Sequence, residues 1–258
     1  MAYTKNVKEI VDQLKVADEE QFAKIVEEYG DDPRAGLIKA ISTARRRLDK
    51  ERKEHDRVEA MYEIMRKAGD DKVVVGIDEV GRGSIAGPLT VGAVVLPNEP
   101  IIEGLNDSKK LTPKQREQLA EEIRQKAHAV GIAHIPPREI DANGMAASLR
   151  TAMLQAIDNL GLDPDFVLID GNPVHIHPNE RCIVKGDAKV ACIAAASIVA
   201  KVTRDQIMID ADKKYPGYHF ADNKGYGSPQ HIEAIQELGL CDFHRASFCT
   251  SFTQGTLF

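Results

Sequence analysis

Four carboxylates stand where apolar runs give way to glycine-containing turns, and their types point to one kind of chemistry. Asp78 and Glu79 follow the run KVVVGI, Asp170 closes DFVLID at 165–170, and Asp187 ends Lys185-Gly186-Asp187 just before a long apolar stretch. Singly, each has an ordinary structural reading. Acids are common at strand-to-turn junctions, and Asp187 stands where a helix N-cap would. Together they are a set of hard oxygen ligands with no His or Cys among them, which suits Mg²⁺ or Mn²⁺ rather than Zn²⁺. Two such ions, roughly 4 Å apart, can activate a water and stabilise the leaving oxygen of a phosphodiester. Adjacent strand side chains point to opposite faces. Asp78 and Glu79 therefore converge only if the backbone bends beside them, and Gly81 and Gly83 supply that freedom.

Competing chemistries find less support. Gly81-Arg82-Gly83 is followed by Gly87, one place too late for a dinucleotide fingerprint, and by Pro88 and strand residues instead of a helix. No phosphate-binding G-x-x-x-x-G-K-[ST] loop occurs. His175 and His177 lie between Pro173 and Pro178 and read as solvated loop residues. Cys182, Cys192, Cys241 and Cys249 form no C-x-x-C pair and read as reduced thiols.

The 258 residues carry a net charge of −6, with 43% hydrophobic and 29% charged residues. That is a globular composition with no overall basic footprint, so a site for a polyanion has to be local or bridged by cations. The N-terminus shows no apolar targeting stretch. The longest apolar run, 190–200, is broken by Ser197 and too short for a bilayer. These features lead us to expect a cytoplasmic protein without a membrane partner.

The elements that must position the acids follow from pattern. Residues 1–70 hold no strand-like run and read as a small helical domain. Asp18 caps a helix that Gly30 ends, with Phe22, Ile25 and Val26 as its stripe. A second helical pattern starts at Asp32-Pro33 and runs to about Gly69, with Leu37, Ile41, Ala44 and Leu48 on one face. Its charged stretch between Leu48 and Val58 reads as solvated helix or as a break. Residues 32–70 carry 11 Lys/Arg against 8 Asp/Glu. That excess fits either a duplex-binding helix or i,i+4 ion pairing, and the spread of Arg45, Arg46 and Arg47 around a helix favours pairing. Residues 71–258 alternate strands (72–78, 89–96, 128–135, 165–170, 181–184) with helices (113–127 capped by Thr112, 140–160, 188–215, 228–238), then an irregular tail. The alternation predicts an α/β domain with a mixed sheet covered by helices.

The runs GIDEVGRGSIAGP (76–88), LNDSKKL (105–111), LIDGN (168–172), VKGD (184–187), AAASIVAKVTRD (194–205), NKGYGSPQH (223–231) and HRASF (244–248) resemble, in order, the signature of bacterial ribonuclease HII. The resemblance spans 72–250. It implies a ribonuclease H-like fold and catalytic, metal-binding carboxylates at Asp78, Glu79, Asp170 and Asp187. It further implies that Gly81, Arg82, Gly83 and Tyr226 read the ribose 2′-hydroxyl, the group that tells RNA from DNA. Ser108 and Lys109, with Lys110, match a segment that holds backbone phosphates. The expected cofactor is Mn²⁺ or Mg²⁺. The expected substrates are RNA/DNA hybrids and ribonucleotide-containing duplex DNA, cut by a monomer. The sister type, ribonuclease HIII, lacks the G-R-G and carries a β-rich N-terminal domain, so both features here favour HII. A ribonuclease HIII-like enzyme for long hybrids and a non-catalytic duplex-binding protein are the alternatives.

Overall fold

The computed structural model describes residues 6–69 and 72–253. Contacts group the chain into two units that divide between Arg57 and Val58. The boundary expected at residues 70 and 71 lies outside the described residues.

In the first unit, α1 (Val7–Val16) and α2 (Glu19–Tyr29) precede α3 (Ala35–Gly69), whose residues after Arg57 belong to the second unit. Asp18 caps α2 as expected. Its side chain accepts from Gln21 N, and Gln21 reaches back to the cap, so two orphan N–H groups of the first turn are satisfied. Helix α3 begins two residues after Pro33, where Asp32 accepts from Arg34 N at 3.0 Å and pairs with its guanidinium. It then runs unbroken through the charged stretch. Glu–Arg and Asp–Arg pairs three and four residues apart support it there, including Arg47 with Glu51 and Arg57 with Glu54. Ile10, Leu14, Tyr29, Leu37 and Ala44 form the core of this unit.

In the second unit, five strands form one mixed sheet in the order β3-β2-β1-β4-β5. These are β1 (Val74–Val80), β2 (Leu89–Val95), β3 (Ala129–Ile135), β4 (Phe166–Asp170) and β5 (Glu180–Ile183). β1 to β3 pair antiparallel, whereas β4 pairs parallel with both β1 and β5. One face packs on α7 (Ala191–Lys214) and α4 (Pro113–Lys126), which Thr112 caps as expected, in a capping box with Gln115. The other face packs on α5 (Pro137–Asn143) and α6 (Met145–Asp158). Short helix α8 (Phe220–Asn223), α9 (Pro229–Leu238) and α10 (Ala246–Thr253) share a third core with Ile85 and Met208.

Two expectations need correction. The helix read over 140–160 is two helices, because Gly144 takes φ 77°, a left-handed conformation that ends α5 before α6 begins. The tail is not wholly irregular either. It holds α10, whose Cys249 is fully buried while Phe248 packs against the same core.

The face toward α7 explains the small residues. An added Cβ would lie 2.2 Å from the Cys192 carbonyl carbon at Gly76, and 2.6 Å from the Ala196 oxygen at Gly92. The buried run Ala194-Ala195-Ala196 lies between these two contacts, so helix and sheet meet backbone to backbone. Among the described residues no helix is long and apolar enough to cross a membrane.

Candidate active site

The sheet register builds the site. Ile77 of β1 pairs with Ile169 of β4 in the parallel ladder, so the next residues, Asp78 and Asp170, are strand neighbours. Val75, Ile77, Val167 and Ile169 pack on the α6 side. By alternation Asp78 and Asp170 then fall on the α7 side. There the 3-10 turn Gly186–Ala188 delivers Asp187. One carboxylate oxygen each from Asp78, Asp170 and Asp187 lies within 4.8 Å of the other two.

Asp187 does not cap α7. Val190 holds that position, without a side-chain bond. The turn is fastened to the site from within, since Gly186 N donates to Asp170 Oδ1 at 2.6 Å. Asp78 is 7% exposed and Asp187 9%. Burial pushes the Asp78 carboxyl well above the ordinary range; the charges of Glu79 and Asp170 add to this, while a hydrogen bond with Ser197 opposes it. Burial also raises Asp187, helped by Asp107 and Asp170 and countered by Lys109. A buried group of acids that cannot all ionise alone is a donor set suited to a hard divalent cation.

Glu79 is not in the three-acid group. β1 continues straight to Val80, so the bend expected at the acidic pair falls after it and Glu79 keeps the opposite parity. It nevertheless lies close enough to feel Asp170. Burial raises its carboxyl, and Arg82, 3.4 Å away, draws it back.

The turn after β1 carries Gly81, at φ 84°, then the exposed Arg82 and Gly83, where a Cβ would meet nothing within 4 Å. Downstream, Ile85 N and Ala86 N both donate to Gly225 O, at 2.9 and 3.1 Å. The residues next to Tyr226 are thereby tied to the turn that bears Gly81–Gly83. Tyr226 is 40% exposed. Lys109 is exposed, but Ser108 is buried, with its hydroxyl 3.0 Å from Ser197 Oγ. The Ser108 side chain is thus used inside the protein. Ser197 itself escaped the sequence reading. The signal was there, as a lone hydroxyl interrupting an apolar run.

The chain matches the family model described as Ribonuclease HII over residues 75–251, and that of the Ribonuclease HII N-terminal domain over 6–68. The chain belongs to the ribonuclease HII family. The Ribonuclease HII of Lachnoclostridium phytofermentans is 43% identical over 249 residues, covering 96% of this chain and 98% of that one. The Ribonuclease HII of Listeria monocytogenes serotype 4a is 41% identical over 244 residues, covering 94% and 92%. The crystal structure of ribonuclease H2 from Pyrococcus horikoshii OT3 superposes with a TM-score of 0.62 at 26% identity, covering 70% of this chain and 97% of that one. Membership makes the chain a metal-dependent ribonuclease H, an endonuclease of RNA/DNA hybrids. The helical first unit is, on the same ground, a ribonuclease HII N-terminal domain.

Proposed function

We propose that this ribonuclease HII cuts the RNA strand of RNA/DNA hybrids and also cuts 5′ to a single ribonucleotide embedded in duplex DNA, leaving a 3′-hydroxyl and a 5′-phosphate. The observation that carries the reading is the convergence of Asp78, Asp170 and Asp187 on one face of the parallel β1–β4 pair. With Glu79 they would hold two Mg²⁺ or Mn²⁺ ions. Bound there, the ions supply Lewis acidity for an attacking water and for the departing 3′-oxygen. Asp170, braced by Gly186 N, keeps its oxygen aimed at the point it shares with Asp78 and Asp187. The turn at Gly81 and Gly83 lets backbone approach the sugar closely, and Arg82 and Tyr226 flank the 2′-hydroxyl. Lys109 offers a charge to a phosphate near Asp187. We take the acting form to be a monomer. The activity fits the first step of ribonucleotide excision repair in the cytoplasm.

The test is cleavage of a DNA duplex carrying one ribonucleotide, with Mg²⁺ or Mn²⁺. We expect a single cut on its 5′ side. Cutting of a long hybrid but not of this duplex would instead indicate ribonuclease HIII-like specificity and would discard the roles given to Gly81, Arg82, Gly83 and Tyr226.

The N-terminal unit is proposed to add to the substrate surface. Lys39, Arg46, Lys50 and Lys53 recur at helical spacing along one side of α3 and are exposed, and among the described residues they form no ion pair. Each phosphate contact contributes about 0.9 to the salt slope of binding. Replacing Arg46, Lys50 and Lys53 by alanine should flatten the plot of log Kd against log salt by about 2 to 3, read on an uncleaved duplex. An unchanged slope would remove the unit from the binding surface.

A further inference from the structure

Two arginines lie completely buried beneath the turn that follows β1, and among the described residues neither pairs with a carboxylate. Arg245 donates from Nε to Gly87 O at 3.0 Å and from Nη1 to Arg82 O at 3.2 Å, while its Nη2 has no partner. Arg204, from the middle of α7, does more. Its Nε donates to Pro88 O at 2.9 Å, and its Nη2 to Ser84 Oγ at 2.9 Å and Ala86 O at 3.1 Å. Its Nη1 crosses to Lys224 O on the other turn at 2.8 Å, and its guanidinium carbon lies 5.7 Å from the centre of the Tyr226 ring. A Cβ on Gly81 would sit 2.2 Å from Arg204 Nε. One side chain thus touches both stretches that the proposed function assigns to the ribose.

Burying a cation with no counter-charge is costly. A shorter, uncharged brace would serve if holding a loop were the whole task. Only a guanidinium presents its donors in a rigid planar fork, and here all three nitrogens of that fork donate to acceptors from two turns more than a hundred residues apart in sequence.

We propose that Arg204 is a positioning residue: by binding both turns at once it fixes the gap between the Gly81–Gly83 backbone and the Tyr226 ring, and so sets how sharply the enzyme depends on a single 2′-hydroxyl at the cut. The proposal rests on the reading of those turns given above. A run of ribonucleotides offers neighbouring hydroxyls that offset a misplaced pair of turns. An isolated ribonucleotide offers none.

The experiment compares the native protein with Arg204→Lys, which keeps the charge and loses the fork. It measures kcat and KM on a duplex with one ribonucleotide and on a long RNA/DNA hybrid, with thermal unfolding of both proteins. A misplacement of about 1 Å costs on the order of a hundredfold. We expect that loss, mostly in kcat, on the single ribonucleotide, and less than tenfold on the hybrid. Should Arg204→Lys fail to fold, Ser84→Ala removes one acceptor of the fork and should shift the same ratio at least threefold in the same direction. Equal losses on both substrates, for whichever variant folds, would make Arg204 a plain structural brace and overturn the proposal. A native protein that cuts the hybrid but not the single ribonucleotide would overturn the reading of the turns, and this proposal with it, before any variant is made.

Discussion

Asp78→Asn should lose activity on every substrate by on the order of a thousandfold or more, comparable to removing a principal electrostatic group from an active site, while the metal-free protein becomes more stable at pH 8. The first half follows from geometry. Asp78 is the most deeply buried member of the three-acid group. Asparagine keeps the shape and can still accept from Glu79 N, as Asp78 Oδ1 does at 2.8 Å, but it brings no charge to a cation.

The second half follows from linkage. Asp78, Glu79 and Asp187 all have carboxyls raised in the folded protein. Between the unfolded value, about 4, and the raised folded value, the native state holds more protons than the unfolded one. Stability without metal therefore declines as pH climbs through that window, by about 1.4 kcal/mol for each pH unit that one such carboxyl stays protonated only in the fold. Removing Asp78 removes its share of the decline. Saturating Mg²⁺ or Mn²⁺ should cancel the decline in the native protein and do little for the variant. Unfolding curves at pH 5 and pH 8, with and without the ion, decide the matter. Residual activity within tenfold of native, or a metal-free variant that melts below native at pH 8, would contradict the assignment.

Gly76→Ala is expected to damage both stability and catalysis without touching any charged group. The added methyl would lie 2.2 Å from the Cys192 carbonyl carbon and 2.4 Å from Ile193 N, both backbone atoms that cannot rotate away. Overpacking of this kind costs about 1–3 kcal/mol or more, a fall of roughly 2–12 °C in Tm for a unit of this size. The strain displaces α7 from the strand that carries Asp78, and about a hundredfold in kcat should go with it. Added Mn²⁺ should not restore the rate. Gly36→Ala is the control, because its methyl meets only Val7 Cγ1 at 3.6 Å and improves helix propensity. Equal melting temperatures and rates for the two variants would show that the close contact of α7 with the sheet matters to neither property.

What could be read in advance was whatever is encoded locally. Asp18 with Gln21 and Thr112 with Gln115 announce their helices through capping boxes, and the apolar runs of β1, β2 and β4 announce strands. Asp78, Asp170 and Asp187, the three acids that cluster, were legible because strand ends and glycines mark them. The parity of Glu79 was not, because it depends on how far β1 stays straight, which its pairing with β2 through Val80 decides. Gly144 gave no warning, since an isolated glycine is tolerated inside many helices. α10 has little propensity of its own and forms against a core supplied by residues far upstream. Arg204 and Ser197 look unremarkable on α7, because the hydroxyls they meet, on Ser84 and Ser108, lie 120 and 89 residues away.

The three clustered acids come from widely separated points of the chain, with Asp170 92 positions beyond Asp78. An ion held among them closes a loop spanning most of the sheet, helix α4 and both helices of the opposite layer. Closing so long a loop is entropically demanding for an unfolded chain, and the folded protein has already met that demand. Such a cation would be a removable cross-link as much as a reagent, joining the first strand of the catalytic unit to residues 92 and 109 positions further along the chain.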